Sequence, residues 1–330
     1  MGNLILVTGG AGFIGSNIVA ALSERGEKIV ICDWLDQGEK WKNIAKSVVS
    51  DFVDPDHLES WLHKNDSRLR AIIHMGAISA TTETDGDLIL KRNFGPTRML
   101  WRFATENATP FIFASSAATY GDGGAGFDDD ENEAALEKLQ PLNLYGWSKH
   151  AIDKFIAREI ARGAMTPPQW AGLKFFNVYG PNEYHKGGMK SVIAQSYPKI
   201  AAGEAVTLFK SHNPDYEDGG QLRDFVYVKD CVDVVLWLLD NGSVSGLFNL
   251  GTGKARSFKD LAAATFKAAD KPEKITYIDT PAQIRDKYQY FTEANMQKLR
   301  AAGFGGNFHS LEDGIRDYVT NYLSTDDPYR

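Results

Sequence analysis

Cysteine is scarce: Cys32 and Cys231 are the only two among 330 residues. Two isolated thiols give neither a disulfide framework nor metal-ligand spacing, and they read as buried, reduced side chains of a cytoplasmic protein. Cations are not in excess either. Against 43 Asp and Glu stand 36 Lys and Arg, for a formal net charge of −7, which excludes the footprint of a nucleic-acid binder. Phosphate-bearing small molecules stay open, since they need only a few local cations. No run approaches the roughly 18 apolar residues of a membrane span, and the first residues read as a strand rather than a basic, apolar leader. Internal repeats and low-complexity tails are also missing. What remains is an ordinary globular composition, 43% hydrophobic, able to bury about three quarters of its unfolded surface as one large or two smaller domains.

The most informative stretch is Leu4-Ile5-Leu6-Val7-Thr8-Gly9-Gly10-Ala11-Gly12-Phe13-Ile14-Gly15. Its apolar run is too short for an amphipathic helix and predicts a buried parallel strand. Gly9 permits a tight turn, Gly12 lets a pyrophosphate approach backbone N–H groups, and Gly15 lets the next helix press on the sheet. That helix carries Ile14, Ile18, Val19 and Leu22 on one face and stops at Gly26, so its N-terminal dipole points at the phosphates. A second strand, residues 28–32, ends in Asp33, 18 residues beyond Gly15, where a ribose-binding carboxylate is expected. The fold expected is therefore α/β, a Rossmann-like doubly wound parallel sheet holding a nicotinamide dinucleotide, with a smaller mixed α/β substrate-binding domain. The loop after Asp33 gives conflicting signals: Asp33 favours the ribose of NAD, while Lys40 either reaches the 2′-phosphate of NADP or is a solvated cation.

Further on, residues 47–52 read as a third strand, with Asp51 and Phe52 placed to touch adenine. Residues 71–77 form a buried strand whose end, Met75-Gly76-Ala77, lets the cofactor lie against backbone. His74 within it has no partner at metal spacing and reads as a packed core histidine. Residues 86–107 carry helical periodicity, with Asn93 toward the sheet. The strand 110–116 ends in Ser115 and Ser116 at the carboxyl edge, where open α/β sheets bind ligands. A helix running to about 162 stacks Tyr145 and Lys149 one turn apart. A free phenol has a pKa near about 10; an adjacent ammonium and the positive ring of an oxidised nicotinamide would stabilise its phenolate and make it a usable base. A strand over 172–181, broken by Gly-Pro, ends the sheet-building half. Residues 221–228 are expected to return toward the sheet, with Arg223 either clamping a diphosphate or paired with a neighbour such as Asp224.

The segments Val7 to Gly15, Ser115-Ser116-Ala117-Ala118-Thr119-Tyr120-Gly121, Tyr145 with Lys149, and Phe176-Asn177-Val178-Tyr179-Gly180-Pro181 together resemble the extended short-chain dehydrogenase/reductases of the NAD-dependent epimerase/dehydratase type, over nearly the whole chain. Thr81-Thr82-Glu83, Asp85-Gly86, His185-Lys186-Gly187, Arg223 to Val228 and Phe248 to Gly253 are similar to the branch that epimerises an ADP-heptose at C6″ in lipopolysaccharide core synthesis. The resemblance implies Tyr145 and Lys186 as the two acid/bases on opposite faces of one sugar carbon. It also implies Ser116 on the reacting oxygen, and Lys149 on the cofactor ribose and tuning Tyr145.

Cofactor contacts are implied for Gly9, Gly12, Phe13, Ile14, Gly15, Asp33, Trp34, Lys40, Asp51, Phe52, Met75, Gly76, Ala77, Asn93, Tyr145 and Lys149. A substrate surface is implied for Ser79, Ser116, Asn177, His185, Lys186, Phe209, Arg223 and Tyr288. Lys40 matches the family's phosphate-reading lysine and favours NADP. Trp34 departs from the small polar residue common there, which keeps NAD open. The expected division is residues 1–176 with 222–251 for the dinucleotide and 177–221 with 252–330 mainly for the substrate, in a homo-oligomer, pentameric in the family. A UDP-hexose 4-epimerase would not need Lys186. A dehydratase would want Asp-Glu where Ala117-Ala118 stand, and a non-catalytic dinucleotide sensor would not need Ser116, Tyr145 and Lys149 together.

Overall fold

The computed structural model of the protein describes residues 2–281, 285 and 289–330. Its strands are β1 (Leu4–Thr8), β2 (Lys28–Cys32), β3 (Asp51–Val53), β4 (Leu69–His74), β5 (Phe111–Ser116), β6 (Trp170–Phe175), β7 (Asn177–Tyr179), β8 (Val206–Phe209), β9 (Leu222–Tyr227), β10 (Gly246–Leu250), β11 (Ala255–Ser257) and β12 (Ile275–Ile278). Seven of them form one sheet in the order β3-β2-β1-β4-β5-β6-β10, and every pairing in it is parallel. Parallel strands covered on both faces read as near-continuous apolar runs, and Leu4–Thr8 and Trp170–Phe175 are buried at every position, with Thr8 and Lys174 as their polar members.

The longer helices are α1 (Phe13–Glu24), α2 (Leu58–Asn65), α3 (Gly95–Glu106), α4 (Leu144–Ala161), α5 (Val192–Ala201), α6 (Val228–Asp240), α7 (Phe258–Ala268) and α8 (Leu311–Tyr318). Ile5, Val7 and Ile31 pack with Ile18 and Leu22 of α1 and Val232 and Val235 of α6 on one face of the sheet. Leu4, Leu6 and Val30 pack with Leu100 of α3 and Ile152 and Ile156 of α4 on the other. Chain order reverses between β1 and β4, so a crevice opens at their carboxyl ends. Among the described residues no helix is long and apolar enough to cross a membrane.

Three expectations change. The third strand pairs only over Asp51–Val53; Val48, 77% exposed, belongs to the loop before it. The strand expected over 172–181 splits at Phe176, whose N–H donates to the Leu250 carbonyl and whose ring packs against Tyr120. β6 stays in the main sheet while β7 leaves it. Residues 222–227 do not rejoin that sheet: β9 is the middle of a three-stranded sheet between β11 and β7. The buried Asp224 holds it there, accepting N–H bonds from Thr252, Gly253 and Ala294. The helix over 86–107 is present in three pieces, Gly86–Ile89, a π turn at Leu90–Phe94, and α3.

Candidate active site

The crevice is a cleft of about 1040 Å³. On its floor Gly9 adopts φ +65°, and a Cβ there would stand 2.6 Å from the Gly76 nitrogen. Gly12 caps α1 without a side chain, which leaves the helix amides facing the cleft. At Gly15 a Cβ would fall 2.1 Å from the Gly9 carbonyl oxygen, a backbone atom that cannot step aside. Gly15→Ala is therefore expected to destabilise the fold by about 1–3 kcal/mol, read as a lower urea midpoint; an unchanged midpoint would contradict this packing.

At the end of β2, Asp33 is buried. Its Oδ2 accepts the Ala11 N–H (2.9 Å) and its Oδ1 pairs with Lys40 Nζ (2.8 Å), which also donates to the Trp34 carbonyl (2.6 Å). At the end of β4, His74 is packed between two threonines, with Thr8 Oγ1 2.5 Å from Nδ1 and Thr97 Oγ1 2.9 Å from Nε2. Thr97 donates its own proton to the Asn93 carbonyl. Nε2 must therefore carry the hydrogen and Nδ1 accept from Thr8, and burial pushes the imidazole pKa down to about 3.

From β5 and α4 come Ser116, Tyr145 and Lys149. Ser116 Oγ accepts the Ala118 N–H (3.1 Å) and hydrogen-bonds the Tyr145 phenol, which lowers the pKa that burial raises. Lys149 Nζ donates to the Ala114 carbonyl (2.8 Å), and burial pulls it down to about 8 against the charge of Asp153. The net shift at Tyr145 is therefore upward, with the Ser116 hydrogen bond opposing the effect of burial.

Lys186 arrives from the 3₁₀ turn Tyr184–Met189, its Nζ 5.1 Å from the centre of the Phe13 ring. Burial lowers its pKa, opposed by Glu183. Glu183 is fully buried and anchors the turn by accepting from Ser191 and Tyr318. His185 accepts a bond from the Asn43 amide; although it keeps an exposed face, partial desolvation and the nearby charges of Lys40 and Lys186 lower its pKa. Asn182 at φ +72° ties the preceding loop to Ser16 and the Asn43 carbonyl.

Tyr145, Lys186, Ser116 and Lys149 all line this one cleft, together with Gly9, Gly12, Phe13, Ile14, Gly15, Asp33, Trp34, Lys40, Met75, Gly76, Ala77, Ser79 and His185. Other expected site residues are elsewhere. Asn93 is buried behind the surface, where its amide bonds both the Ile78 backbone and Ser148, so it supports the 77–79 loop rather than facing the cleft. Asp51 and the exposed Phe52 sit on the edge strand β3, with Asp51 accepting from Trp61. Asn177 is exposed between the cleft-lining Phe176 and Val178.

Phe209 ends β8 in a separate two-stranded sheet. Arg223 does not line the cleft: it lies in β9 and donates to the carbonyls of Leu222 and Gln289. Tyr288 lies outside the described residues. Sequence reasoning missed Asp56, Glu59, Lys91 and Arg92, which also line the cleft; no spacing signal marks them.

With this geometry in view, residues 5–251 match the NAD dependent epimerase/dehydratase family, and the chain belongs to it. Its resemblance within that family is specific. It is 49% identical to the ADP-L-glycero-D-manno-heptose-6-epimerase of Fusobacterium nucleatum over 99% of this chain and all of that one. It is 50% identical to the protein of the same name from Nitratidesulfovibrio vulgaris, over the same shares. The crystal structure of the Helicobacter pylori ADP-L-glycero-D-manno-heptose-6-epimerase superposes with a TM-score of 0.77 at 27% identity, covering 98% of this chain and 97% of that one. The Thermus thermophilus UDP-glucose 4-epimerase in complex with NAD superposes at 0.75 and 26% identity, over 98% and 99%.

Proposed function

We propose that the protein interconverts ADP-D-glycero- and ADP-L-glycero-β-D-manno-heptose by transient oxidation and reduction at C6″, in lipopolysaccharide core heptose synthesis, using a retained NADP. The carrying observation is that Tyr145 and Lys186, from segments far apart in sequence, line one cleft with Ser116. The full-length relatives named as heptose epimerases supply the substrate.

The residues present fit a dinucleotide: a glycine turn that side chains would fill, bare helix amides, and Asp33 at the second strand. When bound, the nicotinamide supplies reversible two-electron chemistry that needs no second redox substrate. The chain's own contribution is proton handling. Burial disfavours both charged forms, raising Tyr145 and lowering Lys186, which favours the phenol as proton donor and the amine as proton acceptor in the same cleft. One group takes the proton of the C6″ hydroxyl as the ketone forms. The other returns a proton to the carbonyl oxygen after the sugar has turned, and solvent resets the pair. Ser116 holds the oxygen between them.

Within this reading residues 1–176 with 222–251 serve the dinucleotide and 177–221 with 252–330 mainly the sugar. The assembly is a homo-oligomer, a pentamer, located in the cytoplasm. A 4-epimerase, the second reading, shares the fold but gives Lys186 no task. Incubation with the D-glycero sugar nucleotide, followed by NMR of the 6″ epimers, is expected to yield a mixture of both; an unchanged spectrum rejects the proposal.

A further inference from the structure

At the adenosine end of the cleft one cation is held in place without a counter-ion. Arg92 sits in the π turn Leu90–Phe94, a widened turn of the kind that recurs at functional sites. The next residue, Asn93, points inward to Ile78 and Ser148, while Arg92 lines the cleft. Its guanidinium lies 3.7 Å over the Trp34 ring, and that stacking fixes the plane of its donor fork. Asp36, Asp56 and Glu59 line the same cleft. Among the described residues, however, no carboxylate pairs with Arg92 and no group accepts its N–H donors.

Lys40 is placed differently. Two of its donors are already engaged by Asp33 Oδ1 and the Trp34 carbonyl, and Asp36 stands 3.9 Å away. A bare Asp33 would repel a phosphate, and Lys40 cancels that charge. We propose that Arg92 is the residue that recognises the 2′-phosphate of the dinucleotide, with Lys40 neutralising Asp33 instead of reading the phosphate itself. The proposal rests on the NADP reading above. A planar guanidinium meets a phosphate bidentately, and its stack on Trp34 gives a use to the residue that departs from the family pattern.

The test is calorimetric titration of protein stripped of dinucleotide with NADPH and with NADH, for wild type and Arg92→Met. Wild type is expected to bind NADPH more tightly. The variant is expected to lose about 10-fold or more for NADPH while holding NADH within about 3-fold, which also shows that it is folded. Equal weakening toward both would make Arg92 a prop for Trp34 and overturn the proposal. A wild-type preference for NADPH that survives in R92M would overturn the Arg92 assignment alone. A wild-type preference for NADH would overturn the NADP reading, and this proposal with it.

Discussion

Replacing Lys186 by methionine is expected to cut turnover by about two orders of magnitude or more while leaving the retained dinucleotide in place. Methionine keeps the apolar length that lies against Phe13 and removes only the amine. Glu183 still anchors the turn through Ser191 and Tyr318, so the loop should keep its course. The pH dependence carries a sign. Because burial lowers the Lys186 pKa, its titration falls below the ordinary lysine range. With the epimer whose hydroxyl Lys186 deprotonates, turnover should rise with pH through that limb. The two epimers interconvert with no net uptake of a proton, so the limb should run the same way from either one, and it should vanish in K186M. Wild-type speed in the variant would make Lys186 a solvated loop cation.

The cofactor floor was legible because its demands are steric and local. Gly9 and Gly15 stand where backbone presses on backbone, at 2.6 Å and 2.1 Å from an added Cβ, and only glycine satisfies that. The Tyr145 and Lys149 pairing was legible for a similar reason, since one helical turn brings both to the same side. What the chain did not disclose depends on partners distant in sequence. β9 reads as a main-sheet strand by its apolar pattern, yet it is drawn aside because Asp224 meets its donors in the loops at 252–253 and 294. Arg223 offers the chemistry of a diphosphate clamp, but its register in that displaced strand turns it to backbone carbonyls. Arg92 carries no motif at all; its place follows from a π turn and from an indole contributed by another strand's end.

The helix bearing Tyr145 and Lys149 is fastened by an ion pair that the sequence also concealed, and breaking it should give the largest loss of stability. Lys174 on β6 and Asp153 on α4 are both fully buried, with Nζ and Oδ2 2.7 Å apart. Thr119 accepts a second bond from Lys174 (2.8 Å), and Ser115 donates to the same Asp153 oxygen (2.9 Å). Removing one partner strands a charge in a low-dielectric interior, so Lys174→Met is expected to destabilise the protein by about 3–5 kcal/mol, seen as a lower urea midpoint. Removing both charges leaves nothing stranded, and K174M combined with D153L should recover most of that loss. If the single variant unfolds at the wild-type midpoint, the pair does not fasten α4 to the sheet. If the double variant is as unstable as the single one, packing around Asp153 rather than its stranded charge is responsible. The pair lies directly behind Ser115 and Ser116, so the double variant, stable but without the fastening, should also show a weakened Ser116 to Tyr145 contact as a higher phenol pKa in a spectrophotometric titration.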